Sequence, residues 1–270
     1  MRIRDRICES KRLGLKRIIM ETSALILKIK RYNPEKDPPR WTETFNVDTK
    51  KGMNLLEALL QIQDEQDPTL SFRYSCRGAV CGSCGMKVNE KLILACRTPV
   101  EGLLEETTLI EPLPFFPVIR DLIVDMSPLF EHFRKIEPYL HGKPVMPERE
   151  HIMTEEERKA IDPYIQCILC GICFGVCPAF NREAPFFGPA ILAKAFRFLL
   201  DPRDRRDKEI LESVNHHQGV WGCNTVFQCV KVCPKEVPPT HAILKMRRNI
   251  LKHRLASIFS RPSSLPHQIN

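Results

Sequence analysis

Between residues 24 and 32 apolar and charged positions alternate, with Leu25, Leu27 and Ile29 set against Lys28 and Lys30. The same period of two returns at residues 42–47. Such a period sends successive side chains to opposite faces, so both segments are predicted to be half-buried strands. Residues 33–40, with Asp37, Pro38 and Pro39, supply the turn between them. The period then changes: apolar residues at 55, 56, 59, 60 and 62 form one helical stripe and predict a helix over 54–65. Short strand signals follow at 86–88, 92–94 and 108–110, and the proline-rich stretch 112–117 closes the segment. That order predicts a small sheet curled over one helix.

Past residue 120 the alternation disappears, and the clearest remaining elements are helices over 188–200 and 241–258. The class predicted is α+β: a sheet-bearing domain over 20–119, a helical domain over 120–260, and disordered tails at 1–19 and 261–270. A chain of 270 residues is long enough for each domain to bury its own core. The basic first nineteen residues contain Asp5 and Glu9 and lack the apolar core of a secretory signal, and Met20 just ahead of the first strand is a candidate start. The dense mix of charges at 201–209 reads as a solvated surface turn.

The net charge of +8 is compatible with nucleic acid, an anionic membrane surface or an acidic partner. Aromatic residues make up 7%, too few for the interleaved aromatic and basic face of a nucleic-acid-binding module. No apolar run reaches the roughly 20 residues that span a bilayer, the stretch 189–200 being broken by Lys194 and Arg197. Twelve cysteines without a secretory signal read as metal ligands, not as a disulfide framework.

Three sets emerge. Cys76, Cys81, Cys84 and Cys96 have the CxxxxCxxC spacing of plant-type ferredoxins, which suits a [2Fe-2S] cluster; Gly78, Gly82 and Gly85 interleave with them and are expected to supply left-handed backbone. A structural zinc site on Cys81 and Cys84 is the alternative, and it leaves the CxxxxC arm without a purpose. Cys167, Cys170, Cys173 and Cys177, followed by Pro178, form the bacterial ferredoxin run, whose fourth cysteine serves the other cluster. A second run, Cys223, Val226, Cys229 and Cys233 followed by Pro234, repeats the spacing with valine in place of its second cysteine. Crosswise pairing gives Cys167, Cys170, Cys173 and Cys233 to a [4Fe-4S] cluster. It leaves Cys177, Cys223 and Cys229 for a centre with one corner unligated, hence a [3Fe-4S] cluster beside Val226. Only Cys8 is spare.

The segments SCRGAVCGSCG (75–85), LAC (94–96), FPVIRDLIVDM (116–126), CILCGICFGVCP (167–178) and CVKVCPK (229–235) resemble the iron–sulfur subunit of the succinate dehydrogenase and fumarate reductase family, over about residues 24–255. The resemblance implies a plant-ferredoxin-like β-grasp domain followed by a helical, bacterial-ferredoxin-like domain. It implies a flavoprotein partner that carries FAD and the succinate and fumarate chemistry. It also implies an integral membrane anchor, cytochrome b among its forms, and a quinone near the [3Fe-4S] centre. Pro178, Val226 and Arg247 fall at positions near that quinone. Asn181, Arg182 and Asn224 stand where members that reduce ubiquinone carry tryptophans and a histidine, which leans toward menaquinone and a prokaryotic complex peripheral on the cytoplasmic face of the membrane. The helix over 241–258 sets Lys245, Arg247, Arg248, Lys252 and Arg254 beside apolar residues, a pattern suited to anionic lipid or a membrane subunit. His216 and His217 read as surface residues, and Trp221 as packing around the cluster.

Overall fold

A computed structural model describes residues 24–104, 107–141, 148–180 and 186–259. Strands β1 (Ala24–Tyr32) and β2 (Arg40–Asp48) pair antiparallel from Ala24 opposite Asp48 to Tyr32 opposite Arg40. Helix α1 (Leu55–Glu65) follows, its first turn closed by a reciprocal capping box between Asn54 and Glu57. Strands β3 (Gly85–Val88), β4 (Lys91–Leu94) and β5 (Thr108–Glu111) complete a sheet in the order β2-β1-β5-β3-β4. Only the β1–β5 pairing is parallel. The buried face of the sheet, with Leu25, Leu27, Ile29, Met86 and Ile110, joins Leu55, Leu59 and Ile62 of α1 in one core. Each such side chain withdrawn from water contributes about 1.5–3 kcal/mol.

Past the proline-rich stretch the chain remains tied to β1. Strands β6 (Val118–Arg120) and β7 (Ile123–Val124) form a hairpin whose tip is tied back: Asp121 N–H donates to Tyr32 O at 2.9 Å and Leu122 N–H to Ser71 O at 3.1 Å. The buried Asp121 carboxylate accepts from Arg31 Nε at 3.0 Å and from the amides of Tyr32 and Ser71. Arg31 is itself buried and also meets Glu43 and Asp67. A boundary at 119 therefore falls inside the hairpin, which proline spacing could not reveal because its anchor lies about ninety residues back.

The helical part comprises α2 (Ser127–Lys135), α3 (Glu155–Ile165), α4 (Ile172–Gly175), α5 (Pro189–Leu199), α6 (Asp207–Val214), α7 (Gln228–Lys231) and α8 (Pro239–Phe259). Helix α5 is its hub and packs against α8, α3 and α6. The edge of Tyr164 meets the ring of Phe196 at 5.0 Å between centroids. On α8 the expected apolar stripe divides: Ile243, Met246 and Ile250 enter the core, whereas Leu244, Leu251 and Leu255 stay exposed beside the basic residues.

The charge run at 201–209 departs from the solvated turn expected of it. Asp201, Asp204 and Arg206 are buried. Asp201 pairs with Arg197 and Arg203 at 3.0 and 2.7 Å, and Arg206 reaches Asp204 at 2.6 Å and the Tyr139 carbonyl at 2.7 Å. Alternating signs satisfied one another and so could go inside. Among the described residues no helix is long and apolar enough to cross a membrane. The expected tails, 1–19 and 261–270, lie outside the described residues.

Candidate iron–sulfur sites

The first cysteine set sits on the loop between α1 and β3 and on the turn after β4. Cys76 Sγ accepts the amides of Val80 and Cys81 at 3.2 Å and that of Gly78 at 3.4 Å. Those amides, Gly78 first, draw the exposed Cys76 thiol down to about 6, poised as a thiolate. Cys84, buried directly before β3, is pushed up to about 12 by burial and by the neighbouring Cys96 and Cys81. One half of this cage is thus electropositive and open, the other apolar and closed. A metal cation bound there would favour the deprotonated thiols.

The loop's left-handed residues are Arg77, Ala79 and Gly82; Gly78 and Gly85 do not take that conformation. Gly82 answers to a second constraint. A Cβ there would lie 2.9 Å from Ile168 O and 3.0 Å from Cys170 Cα, and one at Gly85 would lie 3.2 Å from Cys170 O. The backbone of the first set therefore rests directly on the backbone of the second.

Cys167 follows α3, Cys170 and Cys173 flank the start of α4, and Cys233 arrives from beyond α7. Cys170 lies within electrostatic reach of Cys167 and Cys233, and Cys173 within reach of Cys170, Cys167, Cys229 and Cys233. Burial pushes the Cys170 thiol up to about 12 and the fully enclosed Cys173 well above its ordinary value. Lys194 of α5 is nearby: burial lowers its pKa while the Cys167 thiolate works the other way.

Cys177, Cys223 and Cys229 line a single small cavity together with Pro178, Val226 and Thr240. Cys229 is within electrostatic reach of Cys223 and Cys177, Cys223 Sγ accepts the Thr225 amide at 3.3 Å, and Thr240 Oγ1 stands 3.1 Å from Cys229 Sγ. Among the described residues no three cysteine, histidine or carboxylate side chains converge on the point that a lone ion would need. The donor chemistry suits a larger, thiophilic body at each set: thiols in three groups, amides and a hydroxyl directed at sulfur, and little carboxylate.

The two runs also repeat in conformation. Leu169 and Gly171 bracket Cys170 with left-handed backbone ahead of the four-residue α4; Thr225 and Phe227 bracket Val226 in the same way ahead of the four-residue α7. Val226 thus takes the backbone place of a ligand without its sulfur. Sequence spacing gives the equivalence, but not the matching left-handed turns, since three of these four residues are not glycine.

Arg247 does not line the cavity shared by Pro178 and Val226. Its guanidinium donates to Val220 O at 2.8 Å, to Cys223 O at 2.7 Å and to Thr225 Oγ1 at 3.3 Å, and so holds the loop that carries Cys223. Trp221 lies partly exposed over that guanidinium at 5.5 Å and donates to Asn215 Oδ1 at 2.8 Å. His216 meets Phe187 in a T-shaped contact, 4.8 Å between ring centroids. Asn224 lines the cavity of the third set. Asn181, Arg182 and Cys8 lie outside the described residues. Sequence reasoning passed over Thr240 and Lys194, because each acts across a turn of chain that spacing does not encode.

Residues 26–131 match the family described as "2Fe-2S iron-sulfur cluster binding domain", and residues 164–237 match the "4Fe-4S dicluster domain". Among curated relatives, the succinate dehydrogenase iron-sulfur subunit of Coxiella burnetii is 38% identical over 232 residues, covering 84% of this chain and 97% of that protein. The fumarate reductase iron-sulfur subunit of Haemophilus influenzae is 39% identical, covering 80% and 89%. A chain of the Mycobacterium smegmatis Sdh1 complex in the apo form superposes with a TM-score of 0.77 at 25% identity, covering 87% and 98%.

Proposed function

From the premise that this chain belongs to the iron–sulfur subunits of the succinate dehydrogenase and fumarate reductase family, we propose that it joins the FAD of a flavoprotein subunit to a membrane quinone. The chain is the electron-transfer subunit of an oxidoreductase; the dicarboxylate chemistry belongs to the partner. When bound, the [2Fe-2S], [4Fe-4S] and [3Fe-4S] clusters supply one-electron redox capacity without proton transfer. The fold names fit the reading: a five-stranded sheet over one helix suits a plant-ferredoxin-like β-grasp, and two crosswise runs suit a bacterial-ferredoxin-like helical domain.

The observation that carries the proposal is the contact of Gly82 and Gly85 with Cys170. It brings the first ligand loop against the second with only backbone between them, while Cys173 stands within electrostatic reach of both Cys233 and Cys229, one from each remaining set. Cys76, Cys81, Cys84 and Cys96 hold the binuclear end, whose exposed rim of Tyr74, Val80 and Cys81 suits docking of the flavoprotein. Cys167, Cys170, Cys173 and Cys233 hold the middle, Cys173 buried and the other three half-buried. Cys177, Cys223 and Cys229 hold the far end, where Pro178 and Val226 face the quinone and Arg247 braces the loop. Exposed Leu244, Leu251 and Leu255 beside Lys245, Arg248 and Lys252 suit the membrane anchor and a peripheral place on the cytoplasmic face. Asn224 in the third cavity, where a histidine would mark a ubiquinone site, favours menaquinone.

Low-temperature electron paramagnetic resonance (EPR) of the anaerobic complex tests the proposal. An oxidised trinuclear signal that vanishes on reduction, a binuclear signal that appears, and about nine irons per chain are expected. A silent, colourless complex with stoichiometric zinc would sink it.

A further inference from the structure

We propose that the Thr240 hydroxyl donates a hydrogen bond to the Cys229 thiolate and thereby sets the reduction potential of the third centre above the value its cysteines alone would give. The inference rests on the functional reading above and deepens it at one end of the chain of clusters. Thr240 is the second residue of α8 and is 1% exposed. Its Oγ1 lies 3.1 Å from Cys229 Sγ, inside the usual reach of a hydrogen bond to sulfur, and both residues line the cavity that also holds Cys177 and Cys223. A thiolate bound to iron has no proton and can only accept, so with the centre assembled the hydroxyl must be the donor. The Thr240 amide is directed at the same sulfur. Both donors issue from the first turn of a 21-residue helix, whose dipole adds positive potential there.

The consequence has a definite sign. Reduction would add one electron to a centre held there, and part of the added negative charge would fall on the ligand sulfurs. A donor aimed at sulfur stabilises that more negative state more than the oxidised one, which raises the potential. The β-branched side chain has few rotamers when buried, so the hydroxyl is pre-aimed. Thr240 is accordingly a positioning residue that acts through Cys229. At Cys76 and Cys223 backbone amides donate to the sulfur; here the donor is a side chain that can be altered without moving the backbone.

The test is an EPR-monitored redox titration of the whole complex carrying Thr240→Val, Thr240→Ser or Thr240→Ala. The valine variant is expected to lower the midpoint of the trinuclear signal while the binuclear and tetranuclear midpoints stay in place, and serine to restore the wild-type value. A valine variant that titrates with the wild type overturns the proposal, as does a serine variant displaced as far as alanine. Where neither hydroxyl-free variant assembles the centre, serine decides alone: a wild-type midpoint supports the assignment and a shifted one refutes it. A wild-type complex without a trinuclear signal would instead remove the functional reading itself, so the two failures are told apart.

Discussion

Val226 occupies the backbone niche that Cys170 fills in the first run, bracketed by left-handed Thr225 and Phe227 as Cys170 is by Leu169 and Gly171. A thiol placed there should find its aim already set. Val226→Cys is therefore expected to convert the trinuclear centre to a cubane, with loss of the oxidised trinuclear signal and about one more iron per chain. A folded variant that kept the signal would show that the crosswise ligand sets are wrong. This residue-scale repeat was legible in the spacing of the cysteines, because four ligands around one small body leave few ways to space them along a chain. The reach of Thr240 to Cys229 and of Arg247 to the Cys223 carbonyl was not legible, since each depends on how α8 returns across the loop.

Among the elements, those with a one-sided apolar stripe were readable: β1, α1, α5 and α8 lie within a residue or two of where periodicity put them. Helix α3 was not, because its first half is Glu155, Glu156, Glu157, Arg158 and Lys159, with little apolar signal. The one clue ahead of it was the Thr154 and Glu157 capping box. The β6–β7 hairpin escaped for another reason: its anchor is the ion pair of Asp121 with Arg31, both buried and distant in sequence. Asp121→Ala leaves Arg31 with Glu43 and Asp67 but strips the Tyr32 and Ser71 amides of their acceptor, so it should cost about 1–3 kcal/mol, read as a fall in unfolding midpoint. An unchanged midpoint would mean that water replaces the carboxylate at those amides.

In the whole molecule, two domains meet where Gly82 leaves no room for a side chain. Gly82→Ala meets two obstacles, the left-handed backbone, worth about 1–2 kcal/mol, and the Ile168 and Cys170 backbone atoms within 3.0 Å of the new methyl. It should lower stability by at least that first amount and delay electrons between the binuclear and later centres, seen as a lag in rapid-freeze EPR. Wild-type stability without a lag would show that the close approach is dispensable. Chain length and the change of periodicity predicted two domains and the cysteines predicted three sets, but how tightly the domains sit could not be read, because a glycine in a cysteine loop looks the same whether it serves the turn or the neighbour.

The same glycine contact has a bearing on how such a relay can change over time. Because main chain meets main chain at Gly82 and Cys170, the gap that electrons cross between the first two stations is a property of the scaffold, not of any side chain. Surface residues at either end can then be exchanged to suit a different partner, and the separation in the middle is inherited unchanged.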